Sequence, residues 1–187
     1  MRIFYVITKF LLFPGAYLRG FWEQVTCRIL HLMVESDGYM RLDEACGHVD
    51  HSLPEKQFAA YLMSTGPGFM NFNMGMAFFL FGFLNVKVLG ITPYDSLPLF
   101  IVYVISMYIG VSLLNCLFPL TEDILNYWDI AWGKSKPVKK KGRKVTGGVR
   151  KVIALPFTLI TRAGAFLEKN CVIFILWVAF LVWQFVF

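Results

Sequence analysis

The chain carries little charge and few cysteines, and it lacks the short signatures by which many enzymes are recognised. No GxSxG, no glycine-rich phosphate loop, no HExxH and no CxxC occurs in its 187 residues, so the common serine-nucleophile, nucleotide, zinc-protease and dithiol motifs are excluded. Cys27, Cys46, Cys116 and Cys171 stand without paired spacing, and no disulfide framework is expected. No internal repeat and no low-complexity tract beyond one basic run is visible. Charged residues make up 16% of the chain and hydrophobic ones 57%, above the roughly 45–50% apolar content of soluble domains. These proportions predict an all-α integral membrane protein, and the length suits a single membrane domain, 1–187.

About four membrane-embedded helical segments are expected. The first, 3–34, is longer than the ~20 residues that cross a hydrocarbon core, and Pro14-Gly15 is its natural break. A polar connection follows at 35–56, holding two of the three histidines and half of the acidic residues, with weak alternation around Gly47 that suggests a short β-hairpin. The second span is 57–84; its small residues Ser64, Gly66, Gly68 and Gly75 would let another helix approach closely, and Gly66-Pro67-Gly68 predicts a break inside it. A third span, 97–118, ends at Pro119. Residues 152–170, punctuated by Pro156, Arg162, Glu168 and Lys169, are expected either to cross or to lie in the interface. A terminal span, 171–187, is apolar apart from Gln184.

Charge sets the topology. Nine of the 18 Lys and Arg fall within 134–151, a run without an acidic residue. Beside apolar spans such a run reads as a cytoplasmic loop, with Lys134, Lys136, Lys139, Lys140, Lys141, Arg143 and Lys144 available to anionic lipid headgroups or to an acidic partner. Nucleic acid is the least favoured partner. With that loop inside, the 35–56 connection is cytoplasmic too, and both termini face outward if 152–170 does not cross.

Three groups of side chains could carry chemistry. Arg19, Glu23 and Cys27 recur every four residues along one helix face. Charges at membrane depth point into a bundle or a wet cavity, although an i, i+4 Arg–Glu pair that neutralises itself explains them as well. In the loop, Cys46, His48, Asp50 and His51 are metal-capable, yet their spacing fits no standard zinc module, and solvated loop residues are the simpler reading. Thr121, Glu122 and Asp123 beyond Pro119 read as a helix start, with Thr121 as cap and the carboxylates at the positive end. Asp123 is also a candidate acidic ligand.

The order LFPGAYLRGFWEQVTCRIL, GHVDHSLP, STGPGFMN and GVSLLNCLFPLTEDILNYW resembles the small intramembrane metalloproteases related to site-2 protease, over roughly residues 10–128. In that family the helix after Phe-Pro-Gly carries HExxH, and a later acidic residue completes the zinc site. Here the corresponding stretch is Arg19-Gly20-Phe21-Trp22-Glu23, without the two histidines and the catalytic Glu, while Asp123 matches the acidic ligand. The resemblance therefore implies a degenerate, pseudoprotease fold with a groove near the cytoplasmic side. No catalytic residue, metal or cofactor is expected. The function expected is a non-catalytic scaffold or assembly subunit that positions other membrane proteins, in a multi-subunit complex or a homo-oligomer. An intramembrane metalloprotease with an altered metal site of Glu23, Cys27 and Asp123, beside which Arg19 places an opposing positive charge, is the alternative, together with a component of an oligomeric transporter or channel.

Overall fold

The structure is a computed structural model that describes residues 7–8, 10–36, 48–119, 121–132 and 147–186. Cys46 and the basic residues 134–144 lie outside the described residues. The chain is mostly helical, with one two-stranded sheet. Its elements are α1 (Phe13–Ile29), β1 (Val34–Ser36), β2 (Asp50–His51), α2 (Gln57–Phe83) continuing into a π-helical turn (Leu84–Val88), α3 (Leu97–Leu114), α4 (Thr121–Trp132), α5 (Gly147–Lys169) and α6 (Val172–Val186).

Pro14 occupies the first turn of α1, where its missing N–H would have had no helical partner; the chain turns just before it, at Leu12. The C-terminus of α1 closes with Leu32 N–H donating to Cys27 O at 2.9 Å and His31 N–H to Arg28 O at 3.2 Å. That pair of bonds is a Schellman motif with His31, at φ 55°, in the left-handed position. The reversal sends the chain into β1, which pairs antiparallel with β2 through Val34↔His51 and Ser36↔Asp50. Glu35 has no opposite residue, so the ribbon is bulged and twisted at this point.

α2 differs from expectation in one respect. The helix runs unbroken through Gly66-Pro67-Gly68. Proline removes one backbone bond but does not oblige a helix to end where neighbours hold both halves. What this segment provides is close approach: a Cβ at Gly68 would lie 2.0 Å from Leu117 O, one at Gly75 2.9 Å from the Leu114 side chain, and one at Gly82 2.4 Å from Tyr103 O. The three glycines recur every seven residues along the seam with α3 and the turn that follows it, where backbone proximity replaces side-chain interdigitation.

α1 is fastened to this pair by a buried polar knot. Ser112 Oγ donates to Leu12 O at 2.9 Å and accepts from Gly15 N–H at 2.8 Å. Asn71 Nδ2 donates to Gly15 O and Cys116 O at 3.2 and 2.9 Å. α4 packs on the start of α2 and on α5 around Ala60, Tyr127 and Ala154.

Among the described residues, two helical stretches, Gln57–Val88 and Leu97–Leu114, are long and apolar enough to cross a membrane. Ala154–Lys169 and Val172–Phe185 meet that standard only together, with a 72° bend between them. The elbow passes through Cys171 at φ 57°, and Glu168, buried at the end of α5, accepts the Phe118 N–H at 3.0 Å. Large apolar side chains such as Phe69, Phe72, Phe81, Ile101, Val102 and Ile105 remain exposed on α2 and α3, a surface compatible with membrane contact.

Candidate metal centre

The helical phase of α1 turns Arg19, Glu23 and Cys27 inward, and all three are buried. Arg19 and Glu23 are only 2% and 1% exposed. Cys27 packs its Sγ 3.9 Å from Met63 Sδ and does not join the polar cluster described next.

Glu23 is met by the segment entering β2. Its Oε2 accepts the Val49 N–H at 3.1 Å, and both of its oxygens lie 3.0 Å from His48 Nδ1. His51, at the end of β2, comes in from the other side with Nε2 3.9 Å from Glu23 Oε1 and 3.6 Å from Asp123 Oδ1. The two imidazoles sit edge to face, 5.7 Å between ring centres. Asp123 arrives from the first turn of α4, which is tied down at both flanks: Asn126 Nδ2 donates to Pro54 O at 3.2 Å, and Asp123 O lies 3.5 Å from Ser64 Oγ on α2. Four potential ligand atoms, one each from Glu23, His48, His51 and Asp123, thus lie within 4.8 Å of one another.

The His51–Asp123 separation of 3.6 Å is near the edge of about 3.3 Å expected of a tetrahedron whose bonds are ~2.0–2.1 Å, as in zinc sites, and Glu23 adds separations of 3.0 and 3.9 Å within a cluster up to 4.8 Å wide. His51 Nδ1 lies 3.1 Å from Ser52 O and is placed to donate to it, which in a neutral ring leaves Nε2 with a lone pair. That nitrogen is buried without a hydrogen-bond partner among the described residues, as is Asp123 Oδ2. A lone pair aimed at two carboxylates is repulsive, and a metal ion or a proton between them relieves the repulsion. A backbone carbonyl orienting a histidine from its far nitrogen is also the usual outer support of a metal ligand.

Burying a carboxylate costs several kcal/mol unless it is compensated, and two are buried here. Burial, and next the charge of Glu23, push the Asp123 carboxyl up from 3.8 to about 6, against the opposing pull of His51, His48 and Arg19. Without a metal the cluster relieves its charge by retaining a proton only below about pH 6; a divalent cation would offset the charge at neutral pH as well.

The residues singled out in the sequence therefore fall into one place by a regrouping. Glu23 and Asp123 from the intramembrane set join His48 and His51 from the loop set, while Cys27 stands aside. The expectation of no metal was argued from the missing HExxH histidines, the neighbouring Arg19 and the spacing of the loop residues. The supports supplied by Val49 N–H and Ser52 O are backbone groups with no signal in residue type. No family model, curated protein or solved structure matches the chain.

Proposed function

We propose that this chain is a membrane-embedded, metal-dependent hydrolase of altered ligand set, with His48, His51 and Asp123 as ligands of a zinc-like ion and Glu23 as general base. The single observation behind this reading is the convergence of the four side chains from α1, the β2 segment and α4. Two histidines, one ligating carboxylate and one free carboxylate are the complement of a hydrolytic zinc site with an open position. They are also the residue types used by the site-2 protease relatives that the sequence resembles, delivered here by different elements. When bound, the metal would supply an activated water and polarise a carbonyl. Glu23, oriented by Val49 N–H, would accept the water's proton, and Arg19, close enough to act electrostatically on Asp123, would offset the negative charge of the site.

Crossing of the membrane by α2, α3 and the bent α5–α6 pair is supported by their length and apolarity. The basic run follows α4 directly in sequence, which favours a metal centre at the cytoplasmic end, where the basic residues face anionic lipid.

The contact of His48 Nδ1 with both Glu23 oxygens favours a second reading, in which all four side chains ligate. A filled tetrahedron is a structural site, and the chain would then be a non-catalytic scaffold clasped by metal. Zinc-loaded protein in phospholipid vesicles, incubated with single-pass transmembrane peptides, separates the two. The hydrolase reading predicts peptide cleavage that Glu23→Gln abolishes while the bound zinc stays. Loss of zinc in Glu23→Gln, with no cleavage by the parent protein, would establish the clasp instead.

A further inference from the structure

At the far end of α2 from the metal centre lies a cavity of about 590 Å³ between the π-helical turn, α3 and α6. Ser64 and Lys87 are 23 residues apart on this helix, which places Lys87 roughly 35 Å from the Ser64 end, where the metal centre lies. Its wall is almost wholly apolar and includes Val104, Met107 and Val111 from α3 and Val178 and Leu181 from α6. Lys87 is the one charged side chain among the lining residues, and none is a carboxylate. Asp95 in the neighbouring connection is turned into its own loop, accepting from Thr92 N–H and Oγ at 2.9 and 2.7 Å.

The π-helical turn at 84–88 is what presents Lys87 at this rim. Such turns are rare and occur frequently at functional sites, because the extra residue per turn redirects side chains. The Lys87 amine donates to the Gln184 carbonyl of α6 and lies 5.6 Å above the Phe185 ring. It stands at the end of a membrane-crossing stretch, the depth at which lysines reach the headgroup layer.

We infer that this cavity binds one acyl chain of an anionic phospholipid, with Lys87 meeting the headgroup phosphate. At ~30 Å³ for a volume the size of a water or methylene, the space holds about twenty such units, the bulk of a single long acyl chain. Charge selects the headgroup: an exposed cation at the rim of an otherwise uncharged wall favours a phosphate without a compensating amine. The site is independent of the metal centre and of its chemistry.

The test is reconstitution of the full-length protein into phosphatidylcholine vesicles carrying a minor fraction of phosphatidylglycerol, followed by gentle detergent extraction and native mass spectrometry. One phosphatidylglycerol retained per chain, out of proportion to its share of the vesicle, is expected. Lys87→Gln should reduce that preference about fivefold, the effect of the ~1 kcal/mol a lysine contributes near an anionic surface. Val104→Trp, which fills the cavity, should release both lipids while metal content at the other end is unchanged. Absence of retained lipid, equal preference in Lys87→Gln, or a second copy of the chain in place of lipid would each overturn the assignment; Lys87→Gln removes no core packing, so its result stands whether or not Val104→Trp folds.

Discussion

His51 holds the strongest local argument for a metal. Its ring is fixed through Nδ1 and leaves a buried nitrogen directed at two carboxylates. His51→Ala is expected to lose zinc entirely, whereas Cys27→Ala, which removes only the contact with Met63, should retain it; metal analysis of the two purified variants checks both. Asp123 adds a pH signature. Its carboxyl is raised from 3.8 to about 6 in the folded chain, so between these values the folded state holds more protons than the unfolded state, and the stability this provides is lost as pH rises through the interval. Chelator-treated protein should therefore melt at a lower temperature at pH 7 than at pH 4.5, and Asp123→Asn should flatten that dependence. Each of the four ligand candidates was legible in the sequence as an anomalous charge or a metal-capable side chain. Their union was not, because Glu23 and Asp123 are 100 positions apart and no local period connects them.

Among the elements, the glycine seam and the terminus of α1 make opposite predictions. Gly68→Ala would drive a methyl into the Leu117 carbonyl, a backbone group that cannot rotate away, at a cost of about 1–3 kcal/mol; a lowered thermal midpoint relative to Gly66→Ala, which has ordinary space around it, checks this. His31→Gly relieves a left-handed residue and should stabilise by about 1–2 kcal/mol at most, less the entropy glycine adds to the unfolded chain. The apolar runs of α2 and α3 were readable from hydropathy, and the helix start near Thr121 from its acidic first turn. The continuity of α2 through Pro67 was not readable, since it depends on the neighbours that hold it. The knot of Asn71 and Ser112 had a faint signal, two polar residues within apolar runs, whose meaning appears only when Gly15 and Cys116 come into reach.

At the scale of the molecule, two ends of one helical pair carry different chemistry: a buried polar cluster where α1, β2 and α4 meet, and an apolar cavity beside Lys87. If they are independent, stripping the metal leaves phospholipid retention unchanged, and emptying the cavity leaves metal content unchanged. The central claim concerns the first end. Its most direct test is the metal content of protein purified gently in detergent, measured by mass spectrometry beside the Asp123→Ala variant. The metal-centre account predicts one zinc-like ion per chain, lost in Asp123→Ala; metal-free protein that cannot be loaded with added zinc, or zinc retained undiminished in the variant, would contradict it.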